Sequence, residues 1–194
     1  MDIKLSAFIL VKNEEQCVKF AIESIKNAVD EIIIIDDESA DRTVEIARSY
    51  TDKIFNRPLN NDFAQQCNFA VDQCLHDWIL MLDADEMISR PLAPGLKEIC
   101  KKAEGAEVDV VGIPRLNFID FKLKESPGYK GLDYQYRLFK RYCKFSRRVH
   151  CEITGWKSRI ELQLIDGHFI LHEKDTQKFI DRNIFYKQLE AIGG

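Results

Sequence analysis

Apolar positions recur along the first hundred residues in two alternating rhythms. Short apolar runs fill Leu5 to Val11, Glu31 to Ile35 and Trp78 to Leu82, with a briefer one at Lys53 to Phe55. Runs of that length predict strands, the most apolar of them buried on both faces. Between them the spacing changes to three and four. Val18, Ala21, Ile22, Ile25 and Ala28 predict a helix over 14–28, and Val44, Ile46, Ala47 and Tyr50 predict a second. Phe63, Cys67, Ala70, Val71 and Cys74 predict a third, starting near Asp62. Ser39 or Asp41 supplies a cap for the second. Strand alternating with helix implies an α/β fold with a parallel sheet and right-handed crossovers.

Beyond residue 104 the rhythm breaks. Val108 to Ile113 reads as a strand, 114–131 as a polar stretch with glycine and proline, and Tyr134 to Lys140 as an alternating strand. Glu161 to Ile165 and His168 to Leu171 predict a hairpin about Asp166-Gly167, and 175–191 predicts a terminal helix carrying Phe179, Asn183, Tyr186 and Ala191. Irregular loops on a rigid sheet are where substrate choice is usually made.

Composition adds boundaries. At 194 residues, with 45% hydrophobic and 31% charged side chains, the chain fits one globular domain with a developed core. A net charge of −4 argues against a nucleic-acid partner held by a broad basic surface. Lys140, Arg141, Lys144, Arg147 and Arg148 form a local basic run, more often a solvated face than a contact with phosphates or an anionic membrane. Six cysteines show no C-x-x-C spacing, and Cys17, Cys67, Cys74 and Cys100 fall on apolar helix positions. That usage suits a reducing compartment. No apolar leader opens the sequence and no run approaches a membrane span, so the expected location is cytoplasmic, with peripheral membrane contact as a variant.

The candidate chemistry is acidic. Asp83-Ala84-Asp85-Glu86 directly follows the Trp78 run, and Asp36-Asp37-Glu38-Ser39 follows the run at 31–35. Both clusters belong at the carboxyl edge of one sheet, where open α/β sheets bind ligands. Two carboxylates one residue apart can hold a hard divalent cation, since Mg²⁺-type sites take one or two carboxylates plus substrate phosphates. Asp-x-Asp is common by chance, so its place after a buried strand gives it weight. The competing reading is structural: Asp36, Asp37 or Asp41 capping a turn, and Asp83 and Asp85 as solvated strand-end carboxylates.

Five blocks in order resemble a family 2 glycosyltransferase of the GT-A fold. They are Ser6 to Glu15, Asp30 to Thr43, Asn61 to Ala70, Asp77 to Glu86 and Asp133 to Arg141, the last followed by Val149-His-Cys-Glu152 as in bacterial lipopolysaccharide-core glucosyltransferases. The resemblance implies a Rossmann-like, mostly parallel sheet flanked by helices, with a smaller mixed region on the acceptor side. A single domain over 1–194 would divide into a nucleotide-sugar-binding half to about 103 and an acceptor-side half from about 104. It implies a nucleotide-sugar donor, most often a UDP-sugar, a saccharide or lipid-linked acceptor, and Mn²⁺ or Mg²⁺.

On that resemblance Leu10, Val11, Lys12 and Asn13 pack against the base, and Asp37, with Asp36 less favoured, accepts from it. Asp83, with Ala84 beside it, contacts the ribose, and Asp85 binds the metal, with Glu86 orienting a metal-bound water. His150 would be a further metal ligand, with His168 or His172 as alternatives. Asp133 would be the base of an inverting transfer, preferred over Asp120 and Glu125, and Arg137 would pair with a phosphate or with Asp133. Relatives usually carry a basic residue where Cys67 stands, so its contact would be missing or taken by Gln66 or Arg57. A catalytically inactive carbohydrate-binding or scaffold protein is the second reading. A sugar nucleotidyltransferase is the third, and it lacks its Gly-rich phosphate loop here.

Overall fold

The computed structural model describes residues 2–120, 122–123, 132–163 and 167–174. In chain order it contains β1 (Leu5–Val11), α1 (Val18–Ile25), β2 (Glu31–Asp36), α2 (Thr43–Arg48), β3 (Ile54–Asn56), α3 (Phe63–Gln73), β4 (Trp78–Asp83) and β5 (Glu86–Ile88). A 3₁₀ turn at Ala93–Gly95 leads into α4 (Leu96–Gly105), followed by β6 (Val110–Ile119), β7 (Lys122–Leu123) and β8 (Leu132–Lys140). Then come β9 (Lys144–Ser146), β10 (Glu152–Thr154), β11 (Arg159–Glu161) and β12 (Ile170–Lys174).

The main sheet runs β3-β2-β1-β4-β8-β6-β12-β5, with β7 and β11 also on β6. From β3 to β4 every pairing is parallel, as the alternation of strand and helix requires. Successive side chains of a strand point to opposite faces. In β4, Trp78, Leu80 and Leu82 join the core under α1 and α4, while Ile79 and Met81 join the core under α3 and β9. Ile32 and Ile34 of β2 divide from Ile33 and Ile35 in the same way. Double burial is why these strands read as unbroken apolar runs. Each such side chain contributes about 1.5–3 kcal/mol when fully buried.

Local hydrogen bonding trims the elements. The helix predicted over 14–28 spans only Val18–Ile25, because Glu14 N–H donates to Thr43 Oγ1 (2.7 Å) and Glu15 N–H to Asp41 Oδ2 (3.1 Å). Asp41 also accepts from Thr43 N–H (2.9 Å), so it anchors α2 and the loop after β1 at once. Asp62 caps α3 by accepting from Gln65 N–H at 2.9 Å.

The second half departs further from expectation. β6 continues through Arg115 and Asn117 to Ile119, into the stretch expected to be a polar loop. Among the described residues, 162–163 and 168–171 of the expected hairpin do not pair with each other. β11 lies parallel to β6 at Val110–Gly112, and β12 lies parallel to β6 at Arg115–Ile119 while also pairing antiparallel with β5. Pro114 falls in the gap between those two partners, where the ladder on that edge is already interrupted. Gly112 permits the close approach of Tyr136 and Glu161, since a Cβ there would sit 3.1 Å from each. The predicted terminal helix and Glu125 lie outside the described residues.

Among the described residues no helix is long and apolar enough to cross a membrane. All five side chains of the basic run have partners. Lys140 pairs with Glu104, Lys144 with Asp72, Arg147 with Glu152 and Arg148 with Asp62 at 4.0 Å, and Arg141 donates to the Cys74 carbonyl.

Candidate active site

Both acidic clusters reach the same edge. Val11 registers with Asp36 on one side of β1, and Leu10 with Asp83 on the other. The two aspartates after β2 then diverge. Asp36 is 2% exposed and its carboxylate accepts from Ser39 N–H at 3.2 Å, which makes it a turn-stabilising residue. Asp37 accepts from Leu59 N–H and from Lys12 Nζ, each at 2.8 Å. Asn13, with φ of 54°, accepts from Ala40 N–H at 2.7 Å and donates its own N–H to Ser39 Oγ at 2.9 Å. The loop Leu10–Asn13 is thus tied to the loop after β2. Gln66 is buried and turned to Arg57, donating to its carbonyl (2.7 Å) and accepting from its guanidinium. Arg57 in turn lies 5.2 Å from the Phe69 ring centroid.

At the end of β4 the charges interlock. Glu86, 0% exposed, accepts through Oε1 from Arg115 and Arg137 at 2.8 Å each, and through Oε2 from Asp83 N–H at 3.1 Å. It is the centre of an ion network. Arg137 also donates to Asp83 at 2.5 Å. An outward strand arginine would be exposed; this one is buried, and its pairing is with Asp83 and Glu86, not Asp133. Burial opposes its charge, but the two carboxylates outweigh burial and hold the guanidinium protonated.

Asp133 belongs to Arg115. Arg115 Nε and Nη2 meet its two oxygens at 3.0 and 2.8 Å, a bidentate pair. Burial raises the Asp133 pKa, yet Arg115's hydrogen bonds and charge prevail, helped by Asn117 and Gln135, and it lies below the usual carboxylate range. The side chain remains about a third exposed, at 32%.

Asn117 fixes a tautomer. Its side chain hydrogen-bonds the Asp133 carboxylate, which can only accept, so the amide nitrogen is turned that way. The amide oxygen then faces His172 Nδ1 at 2.6 Å, which must carry the proton. Nε2 lies 3.4 Å from Asp85 Oδ2, and it is a buried atom with no hydrogen-bond partner among the described residues. In the neutral tautomer with the proton on Nδ1, the Nε2 lone pair and the carboxylate oxygen are two electron-rich atoms in a low-dielectric setting, an arrangement that a cation between them would relieve. An imidazole nitrogen and a carboxylate oxygen suit Mn²⁺, and also Mg²⁺ when phosphate oxygens complete the shell, so the donor set fits the expected ion.

Of the three histidines considered, His172 is the one placed against Asp85. β12 registers His172 with Glu86 on β5 and with Asn117 on β6. His150 is exposed in the turn before β10, with φ of 50°. No group of three or more His, Cys, Asp or Glu side chains forms a ready cation cage among the described residues. Arg115 and Asn117 were missed from the sequence. A charge inside the apolar run Val110–Ile119 was the available signal, because a buried arginine must have partners.

Comparison with known proteins bears on the family and the fold. An uncharacterized glycosyltransferase of Rickettsia typhi is 42% identical over 96 residues, covering 50% of this chain and 32% of the relative. The lipopolysaccharide core biosynthesis glycosyltransferase LpsC of Rhizobium meliloti is 33% identical over 115 residues, 57% of this chain and 40% of LpsC. The chain therefore spans well under half the length of these relatives. Among solved structures, S. aureus TarS residues 1–349 superpose with a TM-score of 0.58 at 14% identity, covering 88% of this chain and 60% of TarS, which shows the shared GT-A fold. Residues 6–159 match glycosyl transferase family 2, and the chain belongs to that family.

Proposed function

We propose that this chain is the catalytic domain of an inverting glycosyltransferase that moves a sugar from a nucleotide-sugar donor to a hydroxyl of a saccharide or lipid-linked acceptor. The family match and the acidic edge of the sheet support the reaction class. A structure of TarS, a fold neighbour, is described in complex with UDP-GlcNAc, which recommends UDP-sugars as the first donors to test. LpsC bears a lipopolysaccharide-core name, which recommends a saccharide acceptor. The observation that carries the proposal is the buried pair Asp85 Oδ2 and His172 Nε2, 3.4 Å apart at the carboxyl end of the parallel strands.

In this reading Leu10, Val11 and Lys12 line the base, and Asp37 accepts from it while Lys12 and Leu59 hold the carboxylate in place. Asp83, braced by Arg137, meets the ribose. A divalent cation held by Asp85 and His172 would supply the positive charge that steadies a departing nucleoside diphosphate. Asp133 takes the acceptor's hydroxyl proton as that oxygen bonds the anomeric carbon and the bond from carbon to the diphosphate oxygen breaks. Arg115 and Asn117 position Asp133 and keep it ionised. Asn117 touches both Asp133 and His172, so it joins the proton acceptor to the cation side.

Purified protein with UDP-glucose or UDP-GlcNAc and Mn²⁺ should hydrolyse donor slowly, and Asp85→Ala should abolish that turnover. Undiminished hydrolysis by Asp85→Ala would overturn the proposal.

A further inference from the structure

We infer that Cys67 and Cys151 form an oxidant-responsive dithiol, in which a peroxide attacks Cys151 and Cys67 closes a disulfide that staples the β9–β10 arm to α3. The two sulfurs lie 3.9 Å apart although 84 residues separate them in sequence. A disulfide needs about 2.05 Å between sulfurs, so about 1.9 Å remains to be closed.

The backbone on either side is already held. Asn68 of α3 pairs with Phe145 of β9 through both amide atoms, at 2.9 and 2.8 Å. Phe63 N–H donates to the Arg148 carbonyl at 3.0 Å, and Lys144 meets Asp72 at 3.2 Å. The bridge would thus lock a contact that exists, instead of forcing a new one.

Access separates the two roles. Cys67 is fully buried, whereas Cys151 is half-buried and lines a cavity of about 580 Å³ with Tyr134, Arg137 and Trp156. A small neutral peroxide reaches Cys151 through that cavity and cannot meet Cys67 first. Either thiol can donate toward the other across this contact, so exposure at the cavity, and not the sharing of the proton, assigns the attack to the Cys151 thiolate. Burial pushes Cys74 and Cys100 up to about 12 and Cys143 up to about 11, so those thiols stay protonated and inert.

The chemistry balances with hydrogen peroxide as the two-electron oxidant. The Cys151 thiolate attacks one peroxide oxygen, the O–O bond breaks, hydroxide leaves and a sulfenic acid forms. Cys67 sulfur then attacks the sulfenic sulfur, the S–O bond breaks and water leaves with the Cys67 proton. Both thiol protons end in water, and a dithiol reductant reverses the bridge.

The test treats the reduced 194-residue chain with stoichiometric hydrogen peroxide and maps the peptides by mass spectrometry. The expected result is loss of two thiols, a Cys67–Cys151 cross-linked peptide and its disappearance with dithiothreitol. Cys67→Ser should accumulate a dimedone-trapped sulfenic acid at Cys151, because nothing remains to resolve it. Oxidation that leaves Cys67 and Cys151 uncrosslinked in wild-type chain, or that crosslinks other pairs equally, overturns the inference, and so does dimedone capture at Cys67 in Cys151→Ser. The wild-type map decides the matter even if a variant folds poorly. None of these readouts requires transferase activity, so they stand or fall apart from the proposed function.

Discussion

The two sides of the sheet are built on different logics. On the side from β3 to β4, β1, β2 and β3 are each followed by a helix, and parallel partners come from neighbouring βα units. From β8 to β5, partners come from far apart: β8 fits antiparallel between β4 and β6, and β12 closes between β6 and β5. The first side is held by apolar burial on two faces. The second carries its charges inside, as Arg115, Arg137, Glu86 and their partners. The lesson is a division of labour: the parallel side presents carboxylates at its strand ends, and the mixed side brings cations, an amide and an imidazole to meet them.

Breaking each side should fail differently. Glu86→Ala leaves two buried guanidinium groups short of a partner and should cost about 3–5 kcal/mol in urea unfolding, enough to threaten folding. Leu80→Ala on the parallel side should cost about 2–5 kcal/mol, through a cavity alone and without altering the pH dependence of stability. Asp85→Asn keeps shape and removes charge. It should lower donor turnover by about 10²–10³-fold, the scale seen when a charge-stabilising group is removed, with little change in melting temperature. Asn117→Ala should weaken Mn²⁺ affinity by about 10–100-fold, as expected for a group that orients a ligand imidazole, read by metal titration in the presence of UDP.

The smallest effect sharpens the comparison through pH. Asp133 has a depressed pKa in the folded chain, so its ion pair contributes stability that is complete above the unfolded carboxylate value of about 4 and is lost as pH falls through the folded value. As a base it must be ionised, so the acid limb of the rate profile should lie below about pH 4. Arg115→Met should move that limb upward, since burial then acts on Asp133 without its counterion, and Arg115→Lys should move it less.

Legibility followed the same divide. β1, β2, β4 and α3 could be read because each writes its own period into consecutive residues, and Asp62 marks where α3 begins. The strand-end place of Asp37 and Asp83 came with them. On the mixed side the pairing is non-local, and no local rhythm announces it. Asp166-Gly167 suggested a turn between 161–165 and 168–171, but β6 takes both Arg159–Glu161 and Ile170–Lys174 as parallel partners. That misplacement left His172 an alternative to His150, when its register against Glu86 and Asn117 sets it beside Asp85. Arg137 finds its compensating carboxylates, Asp83 and Glu86, 54 and 51 positions earlier in the chain, where no local pattern announces them.

The central claim is that Asp85 and His172, one from each side of the sheet, hold a divalent cation against a nucleotide diphosphate. The most direct measurement is the thermal shift of wild-type, Asp85→Asn and His172→Ala chains with UDP, with Mn²⁺, and with both together. The account predicts that wild-type chain is stabilised by the pair well beyond either alone, and that each substitution removes this excess. A wild-type chain indifferent to the pair, or a full shift in either variant, would contradict it.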